Sequence, residues 1–367
     1  MMYTNDQRIV MTLDAGGTNF VFSAMQAGRE IVDPISLSAS GTTLTEILLK
    51  IIHGFEQIKS CLPDQPVAIS FAFPGPADYK NGIIGDLQNL PLFQGGVALG
   101  PMLQNHFRIP VFINNDGDLF AYGEAIGGLL PEVNRKLAEA GQTRRYHNLL
   151  GVTFGTGFGG GIVSQGALFT GDNSAGGEIN RLRNRTFKTF DAEESVSIRG
   201  VMREYALYAG INMGSCPEPK TIFDIGMGLR QGNREAAVHA FQAFAVAAGD
   251  ALANAITLVD GLIVIGGGLS GAHPLFMASL VAEMNAPFNT VTGAPLDRLE
   301  MRVYNLEDHH EANLFYRDDH TVIDIPFQSA TIPYHPEKRT GVGISLLGTS
   351  RAVSLGAYAF ALHALSQ

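Results

Sequence analysis

The hydrophobic and polar positions of this chain follow two periods, and each period predicts a different kind of element. Between residues 42 and 60 apolar side chains recur every three or four positions, which predicts an amphipathic helix with one buried face. Alanine-rich apolar stretches predict two more helices, over 233–258 and 351–365. Unbroken apolar runs predict buried strands at residues 66–73, 109–113 and 261–265. Helices that cover buried strands predict an α/β fold.

Weaker patterns fill the intervals between these elements. A charged helical connector is predicted over residues 131–146, and residues 290–338 show no regular period. Further helices are predicted at residues 119–128, 195–208 and 274–285.

Composition narrows the class of protein. A length of 367 residues exceeds one ordinary core and predicts two domains, or one split domain. A net charge of −10 argues against a nucleic-acid partner, which requires a basic face. Two cysteines, Cys61 and Cys216, cannot build a disulfide framework or a four-cysteine zinc site, and they fit a reducing cytoplasm.

Two segments bear on the membrane. The N-terminal residues lack the basic start and apolar core of a signal peptide. The most apolar long stretch, residues 241–265, is interrupted by Asp250, Asn254 and Asp260, so we interpret it as a core helix and strand. We therefore expect a cytoplasmic chain with no membrane partner.

Three glycine clusters are candidates for binding a nucleotide. In residues 151–163 six of thirteen residues are glycine, and residues 155–160 fit G-x-G-x-x-G. The returning apolar segment after them predicts a hairpin, which leaves open a dinucleotide site, a phosphate site or a plain turn. A third cluster, residues 266–271, lies between a predicted strand and helix, where a ring or ribose could lie against bare backbone.

The remaining cluster follows an aspartate in a predicted strand–turn–strand unit over residues 8–25. Asp14 would direct a carboxylate at a metal ion or water, Gly16 and Gly17 their amides at oxygens, and Thr18 a hydroxyl at a phosphate. An ordinary Gly-Gly hairpin with a capping aspartate is the alternative.

Several acidic residues are candidates for chemistry, and each has a plainer interpretation. Asp116 could be a general base at a strand end, or it could cap the following helix with its asparagine neighbours. Glu178 could accept hydrogen bonds from sugar hydroxyls or be an exposed loop residue. Glu193 and Glu194 could simply suit a helix N-terminus. We interpret the segment with His309, His310 and His320 as a solvated insertion loop and not as a metal site.

Taken in this order, the motifs resemble those of the ROK sugar kinases of the actin-like ATPase superfamily, over nearly the whole chain. The segment from Asp14 to Thr18 looks like the first phosphate motif of that family, and residues 155–161 look like the second. Asn115 with Asp116 resembles its sugar-binding and catalytic pair, residues 176–179 its sugar loop, and residues 266–268 its adenosine motif.

This resemblance implies an α/β fold of two actin-like (ribonuclease H-like) domains with a cleft between them. It implies an N-terminal domain of residues 1–116 plus the helix at about 351–367, and a larger domain of residues 117–350 with an insertion near 303–336. It also implies transfer of a phosphoryl group from ATP with Mg²⁺ to the 6-hydroxyl of a hexose, glucose by frequency in the family, and a homodimer.

The resemblance also implies roles for individual residues. Asp116 would be the general base, and Asp14 would contact Mg²⁺ directly or through water. The sugar-binding residues would be Gly75, Asn89, Asn115, Glu178, Arg181 and Glu193, with Glu194 as the register alternative to Glu193. The nucleotide-binding residues would be Asp14, Gly16, Gly17, Thr18, Asn19, Gly155, Thr156, Gly157, Gly266, Gly267 and Gly268.

The chain departs from the family pattern after Glu178. Family members usually continue with Gly-His and a zinc-binding cysteine-rich segment, whereas Asn180 and Arg181 stand here and residues 182–192 contain no cysteine. We therefore predict no structural zinc, and a sugar pocket in which Arg181 donates in place of the histidine.

The departures also leave other functions open. An N-acetylhexosamine kinase, an N-acetylmannosamine kinase, a fructokinase and a sugar-binding protein with little kinase activity are the alternatives. The repressor branch of the family is disfavoured, because the thirteen residues before Asp14 leave no room for a winged helix.

Overall fold

The computed structural model describes residues 3, 5–15, 19–75, 77–85 and 92–367, and the statements below concern these residues. Contacts within the chain define two compact units. Unit 1 comprises Met1–Pro131, Gly160–Gly177 and Ser345–Gln367, and unit 2 comprises Glu132–Gly159 and Glu178–Ile344. The functional domain boundaries expected from the sequence stay a prediction.

The described elements alternate between helices and strands. The helices are α1 (Leu44–Cys61), α2 (Leu99–Phe107), α3 (Asp116–Gly127), α4 (Leu129–Glu139), α5 (Ile198–Ala209), α6 (Pro219–Gly226), α7 (Arg234–Val259), α8 (His273–Met284), α9 (His309–Tyr316) and α10 (Thr349–Ala364). The strands are β1 (Val10–Ala15), β2 (Asn19–Gln26), β3 (Arg29–Glu30), β4 (Ile35–Ser38), β5 (Ala68–Ala72), β6 (Ala77–Asp78), β7 (Ile83–Ile84), β8 (Val111–Asn114), β9 (Leu149–Phe154), β10 (Phe158–Ser164), β11 (Ala167–Phe169), β12 (Leu262–Gly266), β13 (Phe288–Asn289), β14 (Pro295–Leu296), β15 (Arg302–Asn305), β16 (Thr321–Asp324), β17 (Thr331–Tyr334) and β18 (Arg339–Ile344).

Unit 1 is built on a sheet with the strand order β3-β2-β1-β5-β8, and β4 also pairs with β2. β1 and β2 form an antiparallel hairpin, whereas β1, β5 and β8 run parallel. The apolar face of α1 covers one side of this sheet, where the ring of Phe55 packs edge-on against Phe22 at 5.1 Å between centroids. The parallel strands deliver Asp14 and Asn114 near their carboxyl ends, the edge at which α/β proteins bind ligands.

Helices α3 and α10 pack together in unit 1, and α10 also contacts β1 and β5. Their backbones approach closely because Gly123 lies against the backbone of Ala352 and Gly356 against that of Leu119, where a Cβ atom would collide. The buried Glu124 accepts hydrogen bonds from Leu129 N at 2.8 Å and Ser345 Oγ at 2.6 Å. Glu124 thereby links the segment that follows α3 to the segment that precedes α10.

Unit 2 contains the parallel strands β9, β12, β18 and β15, in that order. The long helix α7 is apolar enough to cross a membrane by length and composition, but it buries one side against α5, α6 and α8 as a core helix does. Its Phe244 contacts Phe154 of β9 edge-on, with 5.0 Å between ring centroids. α7 thus supports the strand that leads into the glycine-rich turn.

The structure corrects four of the expectations about secondary structure. Helix α3 begins at Asp116 and not at 119, because Asn115 caps it. The connector helix α4 ends at Glu139, and α5 begins at Ile198, after a short 3₁₀ turn at Ala192–Glu194. Residues 290–338 are also more regular than expected, since β15 joins the sheet and β16 and β17 form a separate hairpin.

Candidate active site

The first phosphate-type motif lies at the turn of the β1–β2 hairpin. Asp14 is half-buried near the end of β1, and its carboxylate makes no hydrogen bond with any described residue. Asn19 is exposed at the start of β2. Gly16, Gly17 and Thr18 lie outside the described residues, so their expected phosphate contacts stay a prediction.

Asn115 and Asp116 are placed by the start of α3. Asn115 is the N-cap residue, and its Oδ1 accepts a hydrogen bond from Gly117 N at 2.7 Å. Asp116 is the first helical residue, and its Oδ1 accepts from the same N–H at 2.9 Å. Because capping occupies the carbonyl oxygen of Asn115, its amide NH₂ is the group that can still donate to a ligand. Capping and ligand binding are therefore compatible at this position.

Asp116 is exposed at the start of α3, yet protein groups crowd around its carboxyl. Desolvation by the surrounding protein raises the pKa of Asp116, and the negative charge of Asp14 raises it further. Hydrogen bonds from the backbone N–H groups of Gly117 and of Asp116 itself oppose this rise. The exposed surface of Asp116 lets a substrate reach it, and the protein groups around its carboxyl raise its pKa. A base whose pKa is raised toward neutrality is better matched to proton abstraction than an ordinary aspartate.

Glycines of β10 lie directly on the first turn of α3. A Cβ atom on Gly117 would stand 2.6 Å from Gly160 O, and one on Gly161 would stand 2.5 Å from Gly117 O. Real Cβ atoms do not approach this closely, so both positions require glycine. Gly160 and Gly161, which the sequence placed in a phosphate motif, are thus in contact with the residue that follows Asp116.

The turn between β9 and β10 contains Gly155, Thr156 and Gly157. Gly155 accepts a hydrogen bond from Ile198 N at 2.8 Å, and Glu193 Oε2 accepts one from Phe158 N at 3.0 Å. The other Glu193 oxygen pairs with Arg199 Nη2 at 3.0 Å. A carboxylate and a helix N-terminus therefore hold both sides of the turn.

Glu193 was expected to contact sugar, and Arg199 was not singled out from the sequence. The described contacts of Glu193 are with backbone and guanidinium groups, and Arg199 also pairs with Glu194 at 3.0 Å. No local sequence pattern predicts these contacts, because Glu193 and Phe158 are 35 residues apart in the sequence. A sugar contact of Glu193, or of Glu194, stays a prediction.

The third glycine cluster follows β12 and leads into α8. Gly267 has a positive φ of 85°, and a Cβ atom there would collide with the backbone of Phe154. Gly268 is exposed, and a Cβ atom on it would meet nothing within 4 Å. Gly266 is buried at the strand end. The cluster thus packs against β9 through one glycine and presents bare backbone to solvent through another.

The other expected sugar-binding residues are placed less distinctively. Glu178 is exposed and makes no side-chain hydrogen bond within the described part of the chain, and the Arg181 side chain is 76% exposed with Nη1 3.7 Å from Asp191. Gly75 is exposed, and a Cβ atom there would lie 3.1 Å from the Tyr79 hydroxyl. Asn89 lies outside the described residues. Their sugar contacts stay predictions.

Comparisons with known proteins agree on one family. The model of the ROK family matches residues 10–309 of this chain. Among solved structures, the chain is similar to a glucokinase from Parabacteroides distasonis, with 55% identity, 99% of each chain covered and a TM-score of 0.90.

More distant relatives are named either N-acetyl-D-glucosamine kinase or glucokinase. The chain is 27% identical to an N-acetyl-D-glucosamine kinase from Vibrio cholerae, over 70% of this chain and 83% of that one. It is 26% identical to a glucokinase from Thermotoga maritima, over 73% of this chain and 84% of that one.

Proposed function

The chain belongs to the ROK family, and from this premise we propose that it transfers the γ-phosphoryl group of ATP to the 6-hydroxyl of a hexose, with glucose as the preferred acceptor. Its fold class is α/β of the actin-like ATPases, and its enzyme class is that of a sugar kinase. Sequence identity of 55% over 99% of each chain to a protein named glucokinase supports glucose as the acceptor.

The residues present fit a magnesium-bound nucleotide. Gly155 and Gly268 offer backbone with open space where a Cβ atom would stand, and the Asp14 carboxylate is half-buried without a described partner. We propose that the backbone of Gly155 and Gly268 approaches the nucleotide. Asp14 would hold Mg²⁺ directly or through water, because this ion prefers oxygen ligands. When bound, the magnesium ion neutralises the charge that develops on the phosphoryl oxygens.

The setting of Asp116 carries the proposal of a general base. We propose that the Asp116 carboxylate orients the sugar hydroxyl and takes its proton as the oxygen attacks phosphorus. The exposure of Asp116 and the upward shift of its pKa support this role, because the carboxyl is accessible and more basic than usual. Asn115 would orient the sugar through its amide NH₂ donors, since its Oδ1 accepts from Gly117 N.

A coupled assay of ADP release tests the activity and the acceptor. We expect turnover with ATP and Mg²⁺, with the highest kcat/KM for glucose among glucose, N-acetylglucosamine, N-acetylmannosamine, fructose and allose. Higher kcat/KM for an N-acetylated sugar would assign the alternative named for the relative from Vibrio cholerae. Absence of ADP release with every sugar, in a chain that binds one of them, would refute the proposed kinase activity.

A further inference from the structure

The base of the hairpin formed by β16 and β17 gathers four potential metal ligands. Thr321 pairs with Tyr334 as the outermost pair of this hairpin, so His320 and His335 stand side by side just beyond it. Asp318 and Asp319 precede His320, and donor atoms of Asp318, Asp319 and His335 lie within 4.8 Å of one another. The two imidazole rings are 6.0 Å apart between centroids.

Within each Asp–His pair the donor atoms already face each other. His320 Nδ1 is 2.8 Å from Asp318 Oδ2, and His335 Nδ1 is 3.3 Å from Asp319 Oδ1. Ligand atoms in a tetrahedral zinc shell with bonds of about 2.0 Å are separated by about 3.3 Å. Small side-chain movements would therefore complete such a shell from two nitrogens and two oxygens.

Arg339 gives this cluster an outer layer. Its guanidinium is almost fully buried, and Nη2 donates to Asp319 Oδ2 at 2.6 Å, which turns the other oxygen of Asp319 toward His335. Carboxylate ligands of metal ions are commonly oriented in this way. Arg339 also pairs with Glu337 at 2.5 Å. Its single positive charge is therefore shared between Asp319 and Glu337 and does not neutralise both aspartates of the cluster. The cluster keeps negative charge for a cation.

Beyond its base, the hairpin has no partner strand within the described chain. All residues of β16 and β17 are exposed, and within the described chain β16 pairs only with β17. Isolated two-stranded hairpins are at best marginally stable in water. A bound ion that joins Asp318, Asp319 and His320 on one strand to His335 on the other would close its base.

We propose that Asp318, Asp319, His320 and His335 bind a zinc ion that clamps the base of this hairpin. Imidazole and carboxylate ligands suit zinc, whereas magnesium prefers oxygen ligands and retains water. The proposal revises the sequence-based expectation of no structural zinc and places the ion far along the chain from the family's usual cysteine-rich segment. His335 was missed in the sequence because the hairpin separates it from the other ligands.

Zinc titration of the tag-free, chelator-treated full-length chain without nucleotide tests the proposal. We expect saturable binding of one ion per chain by calorimetry and a rise in Tm, since a ligand of the folded state stabilises it. The double variant H320A/H335A should lose affinity by more than the about 10- to 100-fold that loss of an outer ligand partner causes. Magnesium at the same concentration should give no binding.

The matched control is H309A/H310A, because these histidines lie on α9 outside the cluster. This variant should bind zinc as the wild-type chain does. Both double variants should melt like the metal-free wild-type chain, which separates ligand loss from misfolding. Absence of saturable zinc binding to the wild-type chain, or unchanged binding to H320A/H335A, would overturn the proposal.

Discussion

The turn around Gly155 and Gly157 is held by Glu193, which accepts from Phe158 N, and by the start of α5, whereas Gly160 and Gly161 lie against the first turn of α3. Gly155 leaves bare backbone in the turn, as the proposed phosphate site requires, whereas Gly161 fills a contact in which no Cβ atom fits. One glycine-rich run therefore combines a turn proposed to bind phosphate with a packing contact. The contact lies next to Asp116, so packing is expected to matter for chemistry as much as the turn does.

The largest effect is expected where the proposed chemistry resides. Asp116→Asn preserves the shape of the side chain and its hydrogen bond to Gly117 but removes the base, so kcat should fall about 10²- to 10⁴-fold with little change in sugar binding. Steady-state kinetics and calorimetric sugar binding measure this. Asp78→Asn, at an exposed capping aspartate of unit 1, is the control and should leave kcat unchanged. A near-wild-type kcat in Asp116→Asn would remove this residue from the mechanism.

The packing contact is tested by Gly117→Ala. In an ordinary helix this change stabilises by about 1 kcal/mol, but here the new Cβ atom would meet Gly160 O at 2.6 Å. We expect destabilisation by about 1–3 kcal/mol, the range for overpacking, and a kcat reduced by roughly 10²-fold because Asp116 is displaced. Denaturant unfolding and kinetics measure the two effects.

The control for this substitution is Gly214→Ala, at a glycine whose Cβ position is open. It should leave kcat unchanged. If Gly117→Ala instead gained stability and kept its activity, the contact between α3 and β10 would be of no consequence for the site.

The turn is tested by Glu193→Gln, which should have a smaller effect. The amide can still accept from Phe158 N, but it loses the charge-assisted bond and the pair with the partly exposed Arg199. We expect kcat/KM for ATP to fall by about 10-fold or less, with the KM for sugar little changed. A large rise in the sugar KM with an unchanged ATP KM would show that Glu193 contacts sugar, as the resemblance implied.

Much of the fold could be predicted from local patterns. The apolar period of residues 42–60 anticipated α1, and the alanine-rich stretch of residues 233–258 anticipated α7, because each buries one continuous face. β15 escaped prediction, since a four-residue strand among turn residues has no period to detect. Short elements owe their structure to partners distant in sequence, here β18.

The candidate site was predictable in its residue types but not in its contacts. Asp116 stood out because an acid follows a strand, and the same position predicted capping, which Asn115 performs. The approach of Gly117 to Gly161 involves backbone atoms far apart in sequence, so no local pattern encodes it. The only local signal was a glycine in the first turn of a helix, where that residue is unfavourable.

The pH dependence of kcat/KM tests the central claim that Asp116 acts as a desolvated base. Because desolvation and the charge of Asp14 raise the pKa of Asp116, activity should fall with decreasing pH along a limb that lies above the ordinary aspartate value of about 3.9. The residual activity of Asp116→Asn should lack this limb, and in Asp14→Asn the limb should move to lower pH. A limb that persists unchanged in Asp116→Asn would contradict the account.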